Sequence, residues 1–210
     1  RYMDMKTIGM VMVAAVLVFT VYMEVKKRTT IGKLETYLAK GDFESYLKLV
    51  DRPLTSILYP KYNVLFLRLN ATMALSDAEQ TERTIEQMAK LKMNDEQRLA
   101  LAVKAFNFYV NVEDKRKAKE ALKYIEKHGG KEAARVNRRT YDIFLKKSSA
   151  YIPEMEHALE KATPSDEVML CQLLAVQYEN KGDHEKAAAY RERVECVMDA
   201  TLGKNAGAPE

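Results

Sequence analysis

Apolar residues along this chain follow two patterns. Residues 7–23, TIGMVMVAAVLVFTVYM, carry no charge and would put apolar side chains on every face of a helix. At 1.5 Å per residue the run is about 25 Å long, which matches a short membrane span. Tyr2 and Tyr22 fall near its ends, where amphipathic rings settle at an interface. Without a separate polar face it does not read as a surface amphipathic helix. Residues 22–26 offer no small-residue cleavage site, so it does not read as a signal peptide either. The run predicts an N-terminal transmembrane helix. Gly9 and Ala14-Ala15 make no small-xxx-small pair, so no dimerising span is predicted.

From residue 30 onward the apolar positions recur every three or four residues, as on one face of a helix. Leu34, Tyr37 and Leu38 form one group; Phe43, Tyr46, Leu47 and Val50 form the next. Gly41-Asp42 separates them, and Asp42 is placed to cap the second helix. Pro53 and Pro60 bracket an apolar connection. Leu65, Leu69, Thr72 and Met73 predict another helix, and Ser76 to Glu79 reads as a capping box before Ile85, Met88 and Leu91. Further helices carry Leu99, Phe106 and Tyr109, then Ala118, Leu122 and Ile125, stopping at Gly129-Gly130. Val136, Ile143 and Phe144 follow, then Ile152, Met155 and Leu159. Thr163-Pro164-Ser165-Asp166 combines a cap, an N1 proline and a box acid, opening the last pair of helices. Residues 202–210 read as a frayed tail. No stretch alternates with period two long enough for a strand.

Composition agrees with helix and narrows the chemistry. The chain has 210 residues, 47% hydrophobic and 30% charged, with no Trp and few Gly or Pro, which is a globular and helix-favouring mixture. The net charge of +4 is too small to argue for nucleic acid. Lys26, Lys27, Arg28 and Lys33 outweigh Arg1 and Lys6 across the apolar run, which favours a cytoplasmic body if the run spans a membrane. His128, His157 and His184 stand far apart, and Cys171 and Cys196 form no metal-ligand spacing, so no metal or cofactor is predicted. No nucleophile–base grouping or glycine-rich phosphate loop is present, so no enzyme is predicted.

The last pair of helices, VMLCQLLAVQYENKGDHEKAAAYRERVECVM, resembles the tetratricopeptide repeat (TPR), a 34-residue helical hairpin. Ala175 and Ala187 stand where small residues let the two helices interlock. Tyr178 is the large residue, and Gly182 makes the turn. Tyr37, Gly41 and Tyr46 keep these offsets, as do Tyr109, Glu113 and Ala118. Residues near the ends of second helices, Pro53, Met88, Ile125, Ala158 and Val194, recur in steps of 35, 37, 33 and 36. The expected fold is all-α: the transmembrane helix read from residues 7–23, followed by what the resemblance implies, an α-solenoid of about five TPR-like helical hairpins. Its expected domains are a membrane anchor with a basic collar (1–29), a repeat domain (30–200) and a tail (201–210).

The same resemblance implies a groove lined by first helices that binds a protein or peptide partner. Asn70 and Asn107 fall at equivalent groove positions, with Lys104 and Asn111 a turn either side of Asn107. An Asn amide can both donate to and accept from a peptide backbone, and Lys can meet a carboxylate. Arg135, Arg138, Arg139 and Lys146 form a second candidate, a basic stripe for anionic headgroups or an acidic partner. Cys171 and Cys196 sit at neighbouring ends of the last hairpin, either as two small buried residues or as a disulfide outside a reducing compartment. The expected function is a membrane-anchored interaction scaffold, with a structural subunit of a membrane complex as the alternative.

Overall fold

The computed structural model describes residues 5–205, with backbone alone for 5–11, 13 and 201–205. Among these residues there are eleven helices, α1 (Met5–Ala39), α2 (Phe43–Val50), α3 (Pro53–Leu58), α4 (Lys61–Ala74), α5 (Ala78–Ala89), α6 (Asp95–Asn111), α7 (Lys115–His128), α8 (Gly130–Phe144), α9 (Ile152–Leu159), α10 (Pro164–Lys181) and α11 (His184–Asn205), and no strand. The all-α expectation therefore holds. The chain divides into two compact units, Arg1–Asn94 and Asp95–Glu210. The expected boundary between residues 29 and 30 falls inside α1.

The transmembrane helix and the single-pass membrane localisation are corrected. Among the described residues, no helix is long and apolar enough to cross a membrane. The physical reason lies in the course of α1. It runs unbroken from Met5 past Glu24, Lys26, Lys27 and Arg28 to Ala39, and buries Leu34 against α2. Its fully described uncharged run, residues 14–23, is about 15 Å long at 1.5 Å per residue, half of a bilayer core of roughly 30 Å. The earlier part of the expected span, side chains 7–11 and 13, lies outside those described, as does Tyr2.

A recurring turn organises the helices. Gly41, Ser76, Glu113, Lys147 and Gly182 all have positive φ, between 56° and 82°, and follow one another in steps of 35, 37, 34 and 35 residues. In four of the five the hydrogen bonds are the same. The next residue is an aspartate whose N–H bonds the carbonyl five residues back: Asp42 to Tyr37, Asp77 to Thr72, Asp114 to Tyr109 and Asp183 to Tyr178, each at 2.9–3.0 Å. This ends the first helix as a Schellman motif. The aspartate side chain then accepts the N–H three residues on, at Ser45, Gln80, Lys117 and Lys186, and starts the second helix. Each Asp therefore closes one helix and opens the next. The expected capping box shifts by one residue, because Ser76 supplies the left-handed turn and Asp77 is the cap.

The residue five after each of these five turn positions is buried: Tyr46, Thr81, Ala118, Ile152 and Ala187; Gly130, which also has positive φ, opens α8 outside this series. Two of these are the small residues of the TPR pattern, and three are larger. Near the ends of the second helices, Met88 and Ile125 are fully buried as expected and Val194 is half-buried, but Pro53 and Ala158 are exposed. Its neighbour Leu159 packs against the core instead, which places the fourth repeat one residue later than the sequence spacing suggested. The connection between Pro53 and Pro60 is also helical: Pro53 sits at the first turn of α3, where its missing N–H leaves nothing unsatisfied.

The N-terminal unit packs Leu34, Tyr46, Leu49, Val50 and Ala71 into one cluster. A cluster of the C-terminal unit joins Ile143, Ile152, Met155, Leu170, Leu174, Tyr178 and Ala187. The expected tail is helical through Asn205, and residues 206–210 lie outside those described.

Candidate functional site

Lys104, Asn107 and Asn111 lie on one stripe of α6, three and four residues apart. Leu101, Ala105, Phe106, Phe108 and Tyr109 hold the helix in the core, with Leu101 and Phe108 flanking Lys104. Asn107 and Asn111 are exposed and Lys104 is half-buried. Asn70 lies on α4 in the N-terminal unit. It is half-buried, and its amide oxygen is out of reach of water with no hydrogen-bond donor. A buried acceptor without a donor is costly, and an incoming N–H would relieve it. The C-terminal unit thus brings together three of the four predicted partner-binding residues, while Asn70 stands in a separate unit.

The basic residues Arg135, Arg138 and Arg139 lie on α8, with Lys146 just past its end, and each is paired. Arg135 forks between Glu132 (2.8 Å) and Glu154 (3.1 Å), Arg138 meets Glu126 (2.5 Å), and Arg139 lies 3.7 Å from Glu154. Lys146 Nζ is 2.8 Å from Asp142 Oδ1, an ion pair without the angles of a full hydrogen bond. Burial works against the Asp142 carboxylate. Lys146 and the Tyr151 hydroxyl, which donates at 2.8 Å, nevertheless hold it below the usual range. Hydrogen bonding to Arg135 likewise holds Glu132 low. All four cations thus already have carboxylate partners within their own unit.

Sequence reasoning missed a cluster in the last hairpin. Tyr178 and Tyr190 stack at 5.6 Å, and both hydroxyls donate to the same oxygen of Glu156, at 2.6 and 3.0 Å. The hydrogen bond to Glu156 pushes Tyr178 well above the ordinary phenol range, and burial pushes Tyr190 up to about 12. Beside them Arg193 pairs with Glu167 at 2.7 Å. The Tyr178–Tyr190 spacing crosses a turn, so only a hairpin register could have exposed it in the sequence. Cys171 is buried, with its thiol pushed up by burial, while Cys196 is exposed. Both are free, which corrects the reading of two buried residues and gives no disulfide.

Among the described residues no group of three or more His, Cys, Asp or Glu could hold a metal ion. These features describe an all-helical, repeat-like protein. No family model matches the chain, and no curated protein or solved structure matches it.

Proposed function

We propose that this chain is a protein-interaction scaffold of TPR-like helical hairpins that recruits a protein or peptide partner through exposed faces of its first helices. The observation that carries this reading is the turn repeated in steps of 35, 37, 34 and 35 residues, with a buried residue five positions after each. Repeated hairpins present one helix of each pair in the same local setting, which suits the capture of extended or helical segments. The stripe Lys104, Asn107 and Asn111 on α6 supplies the chemistry: two exposed amides for a peptide backbone and an ammonium for a carboxylate.

Site-specific photocrosslinking tests this. A benzoylphenylalanine at Asn107 is expected to capture one discrete protein from the native cell. The same probe at Lys119, exposed on α7, is expected not to. Adding Lys104→Ala and Asn111→Ala should remove the adduct while the circular dichroism spectrum is unchanged. Identical adducts from both positions, or none from either, would remove the α6 face as a recruiting surface.

A further inference from the structure

The N-terminal unit holds an apolar groove that the α6 stripe does not use. It encloses about 400 Å³. Ile31, Leu34 and Leu38, spaced three and four apart on α1, make one wall; Tyr62 and Phe66 on α4 make the other. The buried ring of Tyr46 on α2 contributes to the lining between them. Helices α1 and α4 both pack on α2, which holds the walls in place without filling the trough.

Three observations say what fits. First, the walls are apolar and open: Ile31 is 45% exposed and Leu38 56% exposed, so bulky side chains are left facing water. Such a trough has room for the bulky apolar side chains of an occupant. Second, the groove is pre-formed. The Tyr62 and Phe66 rings stack at 5.7 Å, and the Tyr59 hydroxyl, at the groove's edge, donates to the Lys27 carbonyl at 2.8 Å. An occupant would have little ordering left to do. Third, the lining contains one charge, Glu35, which is exposed and makes no hydrogen bond or ion pair among the described residues. An anionic amphiphile would set its head against that carboxylate, whereas a cation would complement it.

We propose that this groove takes an amphipathic helix from a protein partner, seating two bulky apolar side chains one turn apart and pairing a lysine or arginine with Glu35. This is the helix-in-groove mode of recognition. It does not depend on the α6 stripe being a binding face.

The test uses the full chain and a panel of 16-residue alanine-based helical peptides. Each carries Leu and Phe four residues apart, with Lys one turn further on, and each has a twin with Glu in place of Lys. Binding is read by fluorescence anisotropy and by methyl shifts of Leu34 and of Leu67, which also lines the groove from α4. The Lys peptides are expected to bind about fivefold tighter than their twins, the size of one exposed ion pair. Glu35→Lys should reverse the order, Leu38→Asp should abolish both, and Asn107→Ala should leave both unchanged. Absence of binding by every peptide, or a preference that Glu35→Lys leaves in place, would overturn the proposal. So would decanoate moving the same methyls with no dependence on residue 35, which would mark a small-molecule pocket. Sedimentation showing a dimer that Leu38→Asp dissolves would assign the groove to a second copy and overturn it too.

Discussion

The two units use the same turn, but one copy in the C-terminal unit, at Lys147, finishes it differently. In the N-terminal unit both turns, at Gly41 and Ser76, are completed by the next residue in sequence, Asp42 or Asp77. In the C-terminal unit the turn at Lys147 has no aspartate, and Ser148 N–H bonds the Asp142 carbonyl instead of Ile143. That would orphan Ile143, the carbonyl its counterparts satisfy. The Asn180 amide, 37 residues away on α10, donates to it at 2.9 Å and to the Ser148 carbonyl at 3.2 Å. Fully buried Gln177, one turn earlier, accepts the Tyr151 N–H at 3.0 Å. A cap written by sequence neighbours keeps each hairpin self-sufficient. A cap supplied from the next hairpin ties two hairpins together, because neither closes its backbone bonds alone.

The surfaces differ in the same direction. In the C-terminal unit Arg135, Arg138, Arg139 and Lys146 pair with Glu126, Glu132, Glu154 and Asp142. The N-terminal unit leaves Ile31 and Leu38 in the open beside an unpaired Glu35. The contrast predicts where substitutions matter. Leu174→Ala, at a fully buried position, should cost about 2–5 kcal/mol by urea unfolding. Leu38→Ala, on the groove rim, should change stability by less than about 0.5 kcal/mol. Equal losses would mean that the groove is core and not surface.

The borrowed cap comes next in size. Asn180→Leu leaves the Ile143 carbonyl without its donor and should cost about 1–3 kcal/mol. Amide exchange should accelerate through residues 145–152 before it does elsewhere in the C-terminal unit. A change confined to α10 would contradict the cross-hairpin role.

Smaller gains are expected where a hairpin holds a strained or unsatisfied group. Ser76 adopts φ 56° without being glycine, so Ser76→Gly should raise stability by roughly 0.5–1 kcal/mol. Thr81 buries a hydroxyl with no partner, so Thr81→Val should stabilise by about 1 kcal/mol. Thermal melts of the two variants decide both, and a lower melting temperature would refute the assignment of strain or dissatisfaction at that position.

The last effect is a pH dependence that appears only at alkaline pH. Tyr178 and Tyr190 have phenol pKa values raised by Glu156 and by burial, Tyr190 to about 12. The folded state therefore holds those protons more tightly than the unfolded chain, whose phenols titrate near 10. Their contribution is fully present below pH 10 and is lost as pH rises toward 12. Above pH 10 stability should therefore fall less steeply with pH in Tyr178→Phe/Tyr190→Phe than in the parent, and two fewer tyrosinates should remain to appear late at 295 nm. An unchanged titration would show that the cluster is open to water.

Much of this was readable where the signal is local. Asp42, Gly182 and Thr163 mark turns and caps by chemistry confined to three or four residues, and the helices follow from spacing. Lys147 was not readable as a turn, because a lysine with positive φ has no sequence signature and its cap comes from Asn180. The ion pairing of Arg135, Arg138 and Arg139 was hidden because two of its carboxylates, Glu126 and Glu154, lie on other helices. The groove was hidden for the same reason. Leu38 and Tyr46 read as ordinary core positions, and only the backbone shows a trough between the helices that carry Ile31 and Phe66. The apolar run before Glu24 misled because length and apolarity were judged apart from the charged helix that continues it.

The repeated turn is the centre of this account, and backbone chemical shifts read it directly. Assigned Cα, Cβ and carbonyl shifts should place residues 41, 76, 113, 147 and 182 in the left-handed region. Helical shifts should stand on both sides, and the amide protons of Ser45, Gln80, Lys117 and Lys186 should carry the signature of a carboxylate cap. Right-handed shifts at Ser76, Glu113 or Lys147 would fuse neighbouring helices, break the steps of 35, 37 and 34, and contradict the hairpin repeat on which the proposed function stands.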